Sequence, residues 1–183
     1  MPPARAQAEV FLKPGEYVVR DAAHRIRTVL GSCVSVTLWC PRQRVGAMSH
    51  FLLATRGDGR DVDEVRGLGL AALDGRYGDE ALRLMLHELE RRGVRAPQCQ
   101  AKIFGGGNMF PGQPARGGAA VGRRNGEAAR DLLQAHGIAV FSESLFGDGH
   151  RQILFDVATG DVWARQLPPD GARPAPHGVE QAS

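Results

Sequence analysis

The sequence predicts an α+β domain in which mixed β-sheets carry helices on their outside. Three observations lead there. Val34, Val36 and Leu38 alternate with Ser35, Thr37 and Trp39, a period-two strand signal. Leu82, Met85, Leu86 and Leu89 recur at three- and four-residue spacing, as on a helix with one buried face. The elements, taken along the chain, run β, β-hairpin, α, β, α, β, β, β, which does not alternate strictly enough for a doubly wound parallel sheet.

Residues 1–8 read as a loose tail ahead of one domain spanning 9–167. A short strand is expected around Glu16–Val19, and Ile26 to Leu30 leads into the hairpin. Val34 to Trp39 and Gly46 to Leu53 form that hairpin about Pro41 and its charged neighbours. Ala54 to Val65 is a loop rich in Gly, Asp and Arg, and Gly67 to Leu73 reads as a short helical turn. Asp79 to Arg92 is the clearest helix, with Asp79 placed to cap its start and Gly93 after its end. On it Met85 faces the core and His87 the solvated side.

Ala101 to Phe104 is a buried strand, followed by the glycine-rich stretch Gly105 to Phe110. That stretch lacks the Lys-Ser/Thr of a phosphate loop, so it reads as a tight turn walling a cleft. After a loop from Pro111 to Gly118, a second helix opens at Gly122 and runs to about His136. Leu132 and Leu133 face inward, and Gly137 ends it. Ile138 to Phe141, Gln152 to Val157 and Val162 to Arg165 are strands, the last two joined through Thr159-Gly160-Asp161. From 168 to 183 the chain is Pro, Gly, Ala and polar residues without periodicity, which predicts a disordered tail.

Composition excludes several classes. A hydrophobic content of 43% over 183 residues suits one domain with a sizeable core. No apolar run approaches a membrane span, and the N-terminus lacks the apolar centre of an export signal. Three cysteines, an odd number, point to a reducing cytoplasm and a free thiol at Cys33. The net charge is +3, but arginines are interspersed with acids and aromatics make up only 6%, which argues against a nucleic-acid platform.

The hairpin brings together a thiol and an imidazole, the minimum kit for attack on a carbonyl. Folded about Arg42 and Gln43, it sets His50 opposite Cys33 or opposite Ser35. Either register puts His50 on the face of Cys33, whereas a one-residue slip sends it to the other face. Spacing alone fits an inert buried thiol and a hydrogen-bonded histidine at least as well.

Four segments then carry a resemblance: Thr28-Val-Leu-Gly-Ser-Cys-Val-Ser-Val36, Gly46-Ala-Met-Ser-His-Phe-Leu-Leu53, Ala101-Lys-Ile-Phe-Gly-Gly-Gly-Asn-Met-Phe110 and Val121-Gly-Arg-Arg-Asn-Gly-Glu-Ala128. In this order the chain resembles the CheD family of chemoreceptor glutamine deamidases, over about residues 9–166. The resemblance implies two sheets packed face to face with flanking helices, an α/β/β/α layering like that of toxin deamidases. It implies hydrolysis of selected receptor glutamines to glutamate, with Cys33 as nucleophile, His50 as base and Thr28 as third member. Without a gap, Arg27 falls at the place of that threonine. Ala54 and the Ser144–Gly147 stretch depart from the family pattern, which bears on substrate fit.

The chemistry this implies is a thiolate–imidazolium pair, thioester formation with loss of ammonia, then hydrolysis, with no metal or cofactor. Methyl-accepting chemoreceptors are the expected substrates, and a CheC-type phosphatase is a possible second partner. A different class of function is a non-catalytic adaptor docking on receptors and CheC. A cysteine peptidase or transglutaminase would share the first steps, and the mass change of the target separates them.

Overall fold

The computed structural model describes residues 6–57, 67–112, 118–167 and 180–182. Ten strands and two α-helices follow one another along these segments: β1 (Ala8–Phe11), β2 (Tyr17–Asp21), β3 (His24–Leu30), β4 (Val34–Cys40), β5 (Val45–Ser49), α1 (Gly78–Arg91), β6 (Gln100–Gly105), α2 (Gly118–Ala135), β7 (Ala139–Leu145), β8 (Arg151–Asp156), β9 (Val162–Gln166) and β10 (Glu180–Ala182). They form two five-stranded sheets, ordered β1-β3-β8-β9-β10 and β2-β5-β4-β6-β7. Both are mixed, since β1 runs parallel to β3 and β7 parallel to β6 while the other pairs are antiparallel.

Strand alternation divides the apolar side chains between two cores. Ile26 and Leu30 of β3, Ile153 and Phe155 of β8 and Val162 of β9 meet Met48 of β5 and Phe104 of β6 between the sheets. The opposite face of the second sheet, with Val34, Val36, Leu38, Ala101 and Ile103, packs against Leu82, Met85 and Leu89 of α1 and Leu133 of α2. Both helices therefore cover the same sheet. The α+β class with facing mixed sheets stands, but among the described residues the layering is α/β/β rather than α/β/β/α. The apolar stripes of both helices fit the outer face of the second sheet, where Val34, Val36, Leu38, Ala101 and Ile103 are buried.

Several element limits differ from the sequence reading. β10 lies in the stretch expected to be a tail, and β1, which begins at the last residue of the expected N-terminal tail, was not expected as a strand; both are short edge strands with little periodicity of their own. Gly67 to Leu73 contains one 3-10 turn, Leu70–Ala72. Asp79 lies inside the first turn of α1, where its carboxylate accepts from the Glu80 N–H at 2.9 Å. The later part of the 54–65 loop, most of the 111–118 loop, and the tail at 1–5 and 168–179 lie outside the described residues.

The connections matter more for function than the strands. The chain passes from the first sheet to the second between β1 and β2, back between β2 and β3, and over again between β3 and β4. The third, Gly31 to Cys33, is held against the end of β6 by Gly105 to Gly107: Gly106 N–H donates to the Cys33 carbonyl and Gly107 N–H to the Gly31 carbonyl, both at 2.8 Å. Gly105 has φ 109°, and a Cβ there would sit 2.3 Å from the Cys33 carbonyl oxygen. Only glycine admits that backbone so close. Gly105→Ala is expected to destabilise the protein by roughly 1–3 kcal/mol, read as a lower urea midpoint at unchanged slope.

Candidate active site

Thr28, Cys33 and His50 come from both sheets and the crossing between them. β3 contributes Thr28, which points between the sheets with Ile26 and Leu30 and is 1% exposed. Arg27 turns the other way, to Glu9 and the ring of Phe11, so it takes no part at this place. His50 follows β5 directly and is 2% exposed. Its N–H donates to the Glu16 carbonyl at 3.0 Å, and its carbonyl accepts from Gly15 N–H at 2.7 Å. The segment joining β1 to β2 thus holds the histidine backbone.

The hairpin register resolves the two placements. Thr37 pairs with Met48 and Val34 with Phe51, so the same register sets His50 across from Ser35. Between these pairs the Ser49 hydroxyl takes up the Val36 N–H at 3.3 Å, opening the ladder without adding a residue. Cys33 lies two positions from Ser35 and packs, half-buried, against the inter-sheet core. The thiol and imidazole are diagonal neighbours on one face. Among the described residues, Cys33 Sγ makes no hydrogen bond to His50; its one polar neighbour is its own backbone N–H.

The histidine is oriented by the facing sheet. Thr28 Oγ1 lies 2.8 Å from His50 Nδ1 and 2.7 Å from the Leu12 carbonyl oxygen. A hydroxyl has one proton, and a carbonyl can only accept. The network therefore assigns the Thr28 proton to Leu12 and the His50 proton to Nδ1, whose N–H donates to Oγ1. That leaves the lone pair on Nε2, the nitrogen a base would use.

Burial keeps both reactive groups uncharged. It pushes the His50 imidazole down to about 4, against smaller upward pulls from the Leu12 carbonyl and the Glu16 carboxylate. It pushes the Cys33 thiol up, with a partial offset from its own backbone N–H. Burial thus disfavours both the thiolate and the imidazolium of the pair expected from sequence.

Two contributors were not singled out from sequence. Asn125 of α2, 1% exposed, donates through Nδ2 to the Ser32 carbonyl at 3.1 Å and the Leu52 carbonyl at 2.7 Å. An asparagine inside a helix, where it is a poor former, was the available signal. Ser35, fully buried opposite His50, has a hydroxyl with no partner. A cavity of about 260 Å³ opens beside Asn125, lined also by Leu53, Thr55, Val121 and Arg124. A larger depression of about 560 Å³ along Ile138 and Phe141 carries none of these residues. Among the described residues no three His, Cys, Asp or Glu side chains gather as metal ligands, and no helix is long and apolar enough to cross a membrane.

Two facing mixed sheets with helices packed on one of them define the class as a small α+β domain, and a thiol and an oriented imidazole lie on the face the sheets share. The family model described as CheD chemotactic sensory transduction matches residues 67–166. The "Probable chemoreceptor glutamine deamidase CheD 2" of Albidiferax ferrireducens is 61% identical over 163 residues, 89% of this chain and 90% of that protein. The "CheD 3" protein of the same description from Dechloromonas aromatica is 45% identical, covering 85% of each chain. The "CheD 1" protein of Chromobacterium violaceum is 41% identical over 96% of this chain and 87% of its own. The chain belongs to the CheD family.

The depressed His50 has a consequence for acid stability. Between about pH 6.5 and 4 the unfolded chain binds a proton at His50 that the folded protein does not. Stability present above pH 6.5 is therefore lost as pH falls to 4, by about 3 kcal/mol from this group. Urea titrations at stepped pH are expected to show that loss in the wild type and a smaller one in His50→Gln. Ser35→Ala removes an unpaired buried hydroxyl, so its Tm is expected to equal or exceed that of the wild type.

Proposed function

We propose that this protein is a chemoreceptor glutamine deamidase, hydrolysing glutamine side chains of chemotaxis receptors to glutamate with release of ammonia. The relatives' names supply the substrate class. The observation that carries the chemistry is the Thr28–His50 hydrogen bond on the face shared with Cys33.

In this reading the substrate amide completes the site. It closes over Cys33 and brings the thiol to His50 Nε2. As Sγ attacks the amide carbon, Nε2 takes the thiol proton, and the carbonyl oxygen becomes an oxyanion beside the Cys33 N–H. The resulting imidazolium is buried and therefore a strong acid, ready to protonate the departing nitrogen. Ammonia leaves and a thioester remains. Water, deprotonated by the same nitrogen, attacks the thioester; glutamate and free thiol result. Thr28 holds the tautomer throughout.

The site lies in the cytoplasm in this reading, where the signalling ends of chemoreceptors are found. A CheC-type phosphatase would be a binding partner whose capture survives loss of the thiol.

Incubation of a chemoreceptor cytoplasmic fragment with the wild type is expected to add about one dalton per modified glutamine, without cleavage or crosslink, and to release ammonia. Cys33→Ala is expected to fold normally and to do neither. Ammonia release by that variant would sink the assignment.

A further inference from the structure

The crossing that carries Cys33 has all its carbonyls tied from one side. Gly31 accepts from Gly107 N–H and Cys33 from Gly106 N–H, both at 2.8 Å. Between them Ser32 accepts from Asn125 Nδ2 at 3.1 Å. The Ser32 carbonyl and the Cys33 N–H belong to one peptide unit, and no peptide bond here is cis. A planar trans peptide points its carbonyl and its N–H in opposite directions. Tying the carbonyl toward α2 therefore aims the N–H away from the helix. Among the described residues, the Ser32 N–H has no partner, and the Cys33 N–H interacts only with its own thiol, which an incoming oxyanion can replace.

The same amide reaches the histidine arm. Its other contact is the Leu52 carbonyl at 2.7 Å, two residues beyond His50. Binding two carbonyls at once requires a neutral group with two N–H donors, which asparagine has and aspartate, serine and threonine lack. α2 can bring it there because Gly122, one turn earlier, lies against the glycine turn; a Cβ at Gly122 would sit 2.6 Å from the Gly106 carbonyl oxygen.

We infer that Asn125 is a positioning residue that aims the Cys33 N–H at the oxyanion of the deamidation intermediate, while holding the Cys33 crossing at a fixed distance from the His50 arm. The inference rests on Cys33 as nucleophile. It adds to that reading the residue that preorganises the oxyanion donor, and it places the donor on the peptide of the nucleophile itself.

The test separates aim from presence of the thiol. Steady-state deamidation of a chemoreceptor cytoplasmic fragment and iodoacetamide alkylation of Cys33 are measured in the wild type, Asn125→Ala and Asn125→Asp. The expected result is kcat lower by about 10²-fold with KM within about twofold, and an alkylation rate within about twofold of wild type. Unchanged kcat, or alkylation falling in step with kcat, would overturn the inference. Cys33→Ala runs alongside: if it still releases ammonia, the nucleophile assignment itself has failed, a different outcome from a dead Cys33→Ala beside a fully active Asn125→Ala.

A second measurement needs no variant. A peptide aldehyde analogue of glutamine adds to the thiol: the Sγ–C bond forms, and the thiol proton passes to the aldehyde oxygen. In the wild-type adduct the Cys33 amide resonance is expected to move downfield as its N–H bonds that oxygen. A Cys33 amide resonance that stays in place in the adduct would also overturn the inference.

Discussion

The hydrogen bond between Thr28 Oγ1 and His50 Nδ1 joins the two sheets, and the rest of the site is built around it. Its contribution to stability is that of one buried neutral bond, about 1 kcal/mol. Its importance is directional. The Leu12 carbonyl takes the only hydroxyl proton, so the imidazole has one tautomer open to it. Leu12 is where it is because β1 runs parallel to β3, the Leu12 N–H continuing that pairing to the Arg27 carbonyl at 2.9 Å. A four-residue edge strand thus decides which histidine nitrogen carries a lone pair.

The thiol side is fixed by different means. The Gly31–Cys33 crossing has no ladder of its own, so its backbone groups need partners elsewhere. Glycines at the end of β6 and the Asn125 amide on α2 supply them. α2 also packs on β4 and β6. One helix therefore registers the Cys33 crossing against the sheet, while the facing sheet registers the histidine. Displacing either layer would move one partner without the other.

The hairpin and α1 were legible because alternation and helical spacing are local signals. Val34, Val36 and Leu38 do face the helices, as their period required, and Met85 is fully buried while His87 is exposed. The shared face of Cys33 and His50 followed from parity alone, which is why either of two registers predicted it. β1 was not legible: four residues with mostly exposed side chains become a strand only because β3 is there to pair with. Asn125 was visible within a motif, but its role depends on carbonyls 93 and 73 residues away. The layering failed for a similar reason. Which sheet a helix covers depends on how the apolar faces meet after folding, and both helices bury their stripes on the outer face of the second sheet.

The neutral state of the pair follows from the same packing. A preformed ion pair between Cys33 and His50 would place charge against Leu30, Met48 and Phe104, with little water to stabilise it. Burial instead raises the thiol and lowers the imidazole, each shift favouring the uncharged form. In the proposed mechanism, attack would then be coupled to the presence of an amide whose developing oxyanion can be met by a backbone donor. A small electrophile that offers no such oxygen in the right place gains nothing from the site. In the proposed mechanism, reactivity would be conferred by the docked substrate rather than stored in the thiol, which would suit an enzyme that must act on chosen glutamines and leave other carbonyls alone.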